Sequence, residues 1–250
     1  MPSFNSDGVE IAYQVAGEGA PILLIHGFAS NARVNWHEPG WVKTLERDGR
    51  MVISIDNRGH GDSEKLYDPA AYSSPIMADD AARLLDHLAI PNCDIMGYSM
   101  GARISAFMTI NHPDRVRSAV FAGLAENMIN GVGGAEIVAE ALEAPSLADV
   151  TDLMPRAFRM FAEATRSDLM ALAACMRSSR QKITVDELGE ISTPVLVAVG
   201  TKDDIAGRAE PLVDAIPGAR ALLIPDGDHM RTVGDKTYKQ GVLEFLKTIG

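Results

Sequence analysis

A serine flanked by two glycines is the first feature that points to chemistry. Gly97, Ser99 and Gly101 belong to the segment GYSMG, which follows a short apolar run and precedes a helix-like stretch. At a sharp turn from a strand into a helix, side chains two positions from the central residue would crowd the backbone, and glycine removes them. The central hydroxyl then stands exposed at the end of the sheet. The spacing therefore predicts Ser99 as a nucleophile.

A serine nucleophile needs a base to take its proton and an acid to orient that base. His229 follows the last predicted strand, in PDGDHM, and Asp203 follows the preceding one, in VGTKDD. The carboxyl ends of parallel strands meet at one edge of a sheet, so both should lie near Ser99. The chain order serine, acid, histidine also accompanies this turn motif. We expect Ser99, His229 and Asp203 to act as nucleophile, base and orienting acid.

The strands that would position these residues are visible as short apolar runs. The runs are rich in valine and isoleucine, end in glycine or polar turns, and mostly lack strict alternation. Strands buried on both faces have this pattern, which indicates a parallel sheet covered by helices. The runs occupy residues 21–27, 51–59, 93–99, 118–125, 194–200 and 221–227.

Helical patterns fall between the runs and divide the chain. Residues 75–90 carry apolar positions at helical spacing, and the N-terminal segment indicates antiparallel strands around an Asp7-Gly8 turn. Residues 126–190 break the alternation and predict three or four short helices. We therefore expect a core of residues 1–125 and 191–250, with residues 126–190 inserted as a helical cap or lid.

Five motifs together give the chain a family resemblance. They are His26-Gly27-Phe28, the run DNRGHGDS at 56–63, GYSMG at 97–101, GTKD at 200–203 and GDH at 227–229. The chain resembles the α/β-hydrolase-fold serine hydrolases of the carboxylesterase type over nearly its whole length. The resemblance implies an α/β fold whose mostly parallel eight-stranded sheet has an antiparallel second strand, helices on both faces and a small helical cap.

The resemblance also assigns roles around Ser99. It places the oxyanion hole at the backbone N–H groups of Phe28 and Met100, where fixed donors would stabilise the negative charge that grows on the carbonyl oxygen. It leaves two other carboxylates open as the acid: Asp204, beside Asp203, and Glu126, because some members take the acid from the strand before the cap.

Apolar side chains near these motifs suggest the substrate pocket. We expect Phe28, Met128, Met154, Phe158 and Met230 to contact substrate, because methionine adapts to varied apolar shapes. Such a pocket would suit small or medium apolar carboxylic esters, and also aliphatic polyesters. The alternatives left open are a C–C bond hydrolase, a cofactor-free haloperoxidase or perhydrolase, and a ligand receptor with slow turnover.

The overall composition indicates which classes of binding partner are disfavoured. The net charge is −11 and the pI is near 5.0, which disfavours nucleic acid and anionic membranes. The N-terminal residues lack a basic region followed by an apolar core, so a cytoplasmic protein is expected. Cys93 and Cys175 are expected to be buried free thiols. The chemistry requires no cofactor and no metal, and the sequence leaves the oligomeric state open.

Overall fold

The computed structural model describes residues 1–249, so Gly250 of the predicted core segment 191–250 lies outside the described residues. Within that range eight strands form one sheet in the spatial order β1-β2-β4-β3-β5-β6-β7-β8. Strand β2 is antiparallel to both of its neighbours, β1 and β4, and every other pair of neighbouring strands is parallel. The predicted sheet with its antiparallel second strand is confirmed. The strands are β1 Ser3–Ser6, β2 Val9–Ala16, β3 Ala20–Ile25, β4 Arg50–Ile55, β5 Cys93–Tyr98, β6 Val116–Ala122, β7 Val195–Gly200 and β8 Arg220–Ile224.

Helices cover both faces of this sheet. No helix within residues 1–249 is both long and apolar enough to cross a membrane. Strands β5 and β7 are buried along their whole length, which explains why neither shows an alternation of apolar and exposed polar residues. The α-helices are α1 Trp41–Arg47, α2 Ser74–His87, α3 Met100–Asn111, α4 Glu126–Asn130, α5 Ala135–Glu143, α6 Leu153–Ala164, α7 Leu169–Ser178, α8 Val185–Gly189, α9 Glu210–Ala215 and α10 Lys236–Lys247.

Helix α3 is the element that carries the predicted nucleophile at its amino end. It is buried from Met100 to Thr109, and it packs on β5, β6 and α2. Apart from Arg103, Ser105 and Thr109, the residues of this buried stretch are apolar, as expected for a helix in the interior of a domain. Because both β5 and α3 are held in the core, the turn that joins them at Ser99 is rigid.

The segment between β6 and β7 contains five α-helices within the described residues, where the sequence predicted three or four. The difference comes from α4 and α8, which have only five residues each and therefore show no helical periodicity. Helix α8 begins at a capping box formed by Thr184 and Glu187. Helices α5, α6 and α7 pack together over Ala29 and Phe28 of the core. The function of this insert as a cap stays a prediction.

The two cysteines are buried and unpaired, as expected from the sequence. Burial raises the pKa of both the Cys93 and the Cys175 thiol to about 12. Both therefore stay protonated near neutral pH and pack as small apolar groups.

Candidate active site

The turn at Ser99 has the strained geometry that its glycines predict. Strand β5 ends at Tyr98 and α3 begins at Met100, and Ser99 between them has φ 55° and ψ −114°. Residues other than glycine rarely adopt a positive φ, because this backbone conformation costs on the order of 1–3 kcal/mol. A Cβ at Gly97 would lie 2.1 Å from the carbonyl oxygen of Gly101, and one at Gly101 would lie 2.0 Å from that of Ile25. Both positions therefore require glycine.

Replacing Gly97 with alanine is expected to lower the free energy of unfolding by about 3 kcal/mol, because the added methyl group meets fixed backbone. Urea denaturation of the variant measures the change. Gly133→Ala is the matched control, because a Cβ there has no neighbour within 4 Å. Equal stability of the two variants would contradict the steric explanation.

The structure brings Ser99, His229 and Asp203 together. The Ser99 hydroxyl lies 3.1 Å from Nε2 of His229, and Nδ1 of His229 lies 2.9 Å from both carboxylate oxygens of Asp203. In this arrangement Nδ1–H donates to the carboxylate and Nε2 accepts from the serine hydroxyl. The three groups can therefore pass a proton from the hydroxyl to the imidazole.

Neighbouring groups hold this arrangement from behind. The Asp203 side chain is 0% exposed, and its Oδ1 accepts hydrogen bonds from the backbone N–H groups of Ile205 at 3.1 Å and Ala206 at 2.9 Å. The Tyr98 hydroxyl donates to the His229 carbonyl oxygen at 2.6 Å. The tyrosine beside the nucleophile thus fixes the loop that carries the base, a contact that the sequence motif did not reveal.

The two other candidate acids do not contact the imidazole. Asp204 is exposed to solvent. Glu126 lies 3.4 Å from the guanidinium of Arg208 and accepts from Asn130. Among residues 1–249, the Asp203 carboxylate alone is hydrogen-bonded to His229. Geometry therefore favours Asp203 as the orienting acid.

The backbone around Phe28 and Met100 leaves two N–H groups available. Neither N–H is hydrogen-bonded to an acceptor within the part of the chain that the structure describes. The loop that carries Phe28 is anchored on both sides: Gly27 N–H donates to Asn35 Oδ1 at 3.1 Å, and Thr165 Oγ1 donates to the Ala29 carbonyl at 2.8 Å. These fixed donors suit an oxyanion.

His26 and His60 stand behind this loop and are buried. His26 Nε2 accepts from Asn57 N–H at 2.9 Å, and its Nδ1–H donates to the Gly27 carbonyl at 2.7 Å. Burial lowers the pKa of His26 to about 4 and that of His60 to about 3. The His60 ring lies 5.8 Å from that of Phe28. Both imidazoles are therefore neutral near pH 7 and support the Phe28 loop through these contacts.

Acid should weaken the fold through His60. Above pH 6.5 its imidazole is mostly neutral in both the folded and the unfolded chain. As the pH falls from 6.5 towards 3, the imidazole binds a proton in the unfolded chain but stays neutral in the folded one, which favours unfolding. Between pH 7 and pH 4.5, wild type should lose about 2 kcal/mol more stability than His60→Gln. Urea denaturation of both proteins at the two pH values tests this, and equal losses would contradict it.

A large cavity opens beside the hydroxyl of Ser99 and the imidazole of His229. Its volume is about 510 Å³. Three of the five predicted substrate contacts, Phe28, Phe158 and Met230, line it. The other apolar residues of its wall come from the segment before α1, from α6 and from the loops after β7 and β8: Val34, Pro39, Ala157, Phe161, Ile205 and Val233.

The structure does not bring Met128 or Met154 to this cavity. Met128 is 0% exposed and packs into the core beneath the insert. Met154 is 44% exposed at the start of α6, with its methyl group near Gly134. Their predicted contact with substrate is therefore wrong. The sequence could not separate methionines that pack the inserted helices from methionines that face a pocket.

Asn35, which the sequence did not predict as a site residue, lines the cavity from a short π-helix at Arg33–His37. Asn35 is 5% exposed, and its side-chain amide nitrogen has no hydrogen-bond partner within residues 1–249. π-Helices are rare and often occur at functional sites. The segment VNWH carries no motif that would have identified it.

Comparisons with known proteins agree with this architecture. A family model described as the alpha/beta hydrolase fold matches residues 20–132. The solved enol-lactonase from Burkholderia xenovorans LB400 superimposes with a TM-score of 0.83, covers 98% of this chain and 100% of its own, and is 23% identical. At that identity the likeness shows the fold.

Two curated relatives align along most of their length. The putative non-heme bromoperoxidase BpoC of Mycobacterium tuberculosis is 28% identical over 89% of this chain and 91% of its own. The pimeloyl-[acyl-carrier protein] methyl ester esterase of Aeromonas hydrophila is 25% identical over 96% of this chain and 98% of its own. Both are proteins to which this chain is similar.

Proposed function

The chain has the α/β-hydrolase fold, and from the contacts of Ser99, His229 and Asp203 we propose that it is a serine hydrolase of carboxylic esters. The observation that carries the proposal is the unbroken line of hydrogen bonds from a strained serine to a buried carboxylate. The similarity to a methyl ester esterase supports the same reaction class.

The first half of the reaction forms an acyl-enzyme. Ser99 Oγ attacks the ester carbon while its proton moves to Nε2 of His229, and the Asp203 carboxylate stabilises the imidazolium. The carbonyl oxygen becomes negatively charged and accepts from the N–H groups of Phe28 and Met100. The C–O bond of the ester then breaks, and the alkoxide takes the proton from His229 and leaves as an alcohol.

The second half restores the enzyme. A water molecule gives its proton to His229 and adds to the acyl carbon, and the same two N–H groups hold the new oxyanion. The bond to Ser99 Oγ breaks, Oγ recovers the proton from His229, and the carboxylic acid leaves. Every proton transfer passes through the imidazole of His229. Over both halves, ester and water give alcohol and carboxylic acid, and nothing else is consumed.

The large cavity supports an apolar alcohol as leaving group. The leaving oxygen must lie within reach of His229 Nε2 to receive its proton. His229 and Met230 line the large cavity together with Phe158 and Phe161. An alkyl or benzyl alcohol of small to medium size fits this surface, because burial of apolar area favours its binding.

A second candidate is a perhydrolase, which the similarity to a non-heme bromoperoxidase favours. In that reaction hydrogen peroxide attacks the acyl-enzyme instead of water, and a peracid leaves while Ser99 regains its proton. The two functions share the acyl-enzyme and differ only in the second nucleophile.

Turnover of p-nitrophenyl acetate and butyrate tests the proposal. We expect release of p-nitrophenol, with the carboxylic acid as the product in water alone. A peracid formed on adding hydrogen peroxide at a rate above that of hydrolysis would favour the perhydrolase. Tight ester binding with negligible turnover would favour a receptor, and cleavage of a vinylogous diketone without ester turnover would favour a C–C hydrolase.

A further inference from the structure

A second, small cavity also borders Ser99. Its volume is about 40 Å³, and four residues line both this cavity and the large one: Phe28, Ser99, Phe158 and Ile205. The rest of its wall comes from α3, with Met100 and Arg103, from the loops after β6 and α4, and from the end of α7 and the segment after it, which carries Arg180. His229 does not line it.

Arg103 reaches this cavity from α3, one turn after Ser99, and is 2% exposed. Its guanidinium donates to the backbone carbonyl oxygens of Asn127 and Met128, both at 3.2 Å, and to that of Gln181. These contacts tie both ends of the insert to the core. No carboxylate accepts from Arg103 among residues 1–249.

Arg180 approaches from the segment after α7 and is also bonded only to carbonyl oxygens within the described chain. Its Nη1 donates to Val132 at 3.1 Å and to Gly133 at 2.6 Å. The three buried arginines other than Arg103 each lie 2.7 Å from a carboxylate: Arg50 contacts Asp94, Arg58 contacts Asp80 and Arg159 contacts Glu163. The small cavity is thus walled by two arginines whose charges no carboxylate balances.

Placing two cations together is unfavourable unless an anion lies between them. Burial, together with the nearby charge of Arg180, lowers the pKa of Arg103 to about 10, so Arg103 remains protonated near neutral pH. Burial lowers the pKa of Arg180 as well. A guanidinium presents a planar fork of donors that matches a carboxylate. In a protein with a net charge of −11, this local excess of positive charge marks a place for an anion.

Reaction geometry decides which part of the substrate enters each cavity. The leaving alcohol must face His229, which lines only the large cavity of the two. The acyl part therefore points the other way, past Met100, whose backbone N–H is a candidate oxyanion donor. That direction leads into the small cavity and towards both arginines.

We propose that Arg103 and Arg180 bind a carboxylate at the far end of the acyl part of the substrate. The preferred substrates are then half-esters of short dicarboxylic acids with an apolar alcohol. This specificity rests on the proposed ester hydrolysis and adds charge selection to it.

Matched esters test the specificity in the wild-type protein. Benzyl alcohol release gives kcat/KM for monobenzyl succinate, monobenzyl glutarate and the neutral benzyl butyrate. At least one half-ester should exceed benzyl butyrate by about 10-fold or more, because hydrogen bonds to a charged group are the stronger ones. Higher kcat/KM for benzyl butyrate than for both half-esters would overturn the proposal.

Arg180→Met should lower the ratio of half-ester to neutral-ester kcat/KM by about 10- to 100-fold. The exposed Arg47 of α1 gives the control, and Arg47→Met should leave the ratio unchanged. Arg180→Lys should recover part of the preference, since it keeps the charge without the planar fork. An unchanged ratio in Arg180→Met would mean that the arginines only tie the insert to the core.

A binding measurement separates this specificity from the ester chemistry. Calorimetry with Ser99→Ala and monobenzyl succinate needs no turnover. Binding that weakens on adding Arg180→Met supports the subsite even if the wild type hydrolyses no ester, in which case only the proposed function fails. Binding of equal strength in both variants overturns the subsite, whether or not the wild type hydrolyses benzyl butyrate.

Discussion

Ser99→Ala is expected to lower kcat for p-nitrophenyl butyrate by about 10⁴-fold or more. The variant removes the only atom that can form the acyl-enzyme and leaves the oxyanion donors and both cavities in place. What remains should be slow hydrolysis by water bound near His229, which lies 3.1 Å from the serine oxygen in the wild type. Steady-state kinetics with purified protein give the ratio.

Two controls make this result specific to the hydroxyl at position 99. Ser192→Ala removes an exposed hydroxyl before β7 and should keep wild-type kcat. Thermal unfolding should show that Ser99→Ala is as stable as wild type or more stable, because alanine loses no packed contact at the turn. Activity of Ser99→Ala within 10-fold of wild type would contradict a nucleophilic Ser99.

Asp203→Asn is expected to lower kcat by about 10⁴-fold with little change in KM, as an amide at this position favours the wrong imidazole tautomer. Both carboxylate oxygens of Asp203 lie 2.9 Å from Nδ1 of His229. An asparagine amide can donate to Nδ1, and the proton then moves to Nε2, where it blocks the serine. The pH dependence of kcat measures the loss of the base.

Asp204→Asn is the matched control, since it changes an adjacent carboxylate that is exposed and makes no contact with His229. It should keep kcat within about threefold of wild type, because surface substitutions away from a site have small effects. Loss of activity in Asp204→Asn but not in Asp203→Asn would reassign the acid. Glu126→Gln, which breaks the contact with Arg208, should also remain active.

The meeting of the three site residues at one edge of the sheet could be predicted from sequence, because it follows from a few physical rules. Apolar runs without alternation indicate parallel strands, and parallel strands bring their carboxyl ends to one edge. Ser99, Asp203 and His229 each follow such a strand, so the sequence predicts that they lie close together. The need for glycine at both ends of GYSMG could be predicted as well, because a side chain at either position would clash with the backbone.

The walls of the two cavities could not be predicted in the same way. Many of their residues come from the segment before α1, from the inserted helices and from the loops after β7 and β8, and the packing of these parts depends on contacts far apart in sequence. Phe158 faces the cavity while Met154, four residues earlier on α6, is exposed, although both are apolar. Arg103 and Arg180 show no motif, and only the structure reveals that they line the same cavity without a carboxylate partner.

Covalent labelling is the most direct test of a nucleophilic Ser99 activated by His229 and Asp203. A fluorophosphonate reacts with serine hydroxyls that a neighbouring base activates, and intact-mass and peptide analysis locate the adduct. The structure predicts one adduct per chain, on Ser99, forming far more slowly in Asp203→Asn. An adduct on a different residue, or sustained ester hydrolysis by a protein that the reagent leaves unlabelled, would contradict this mechanism.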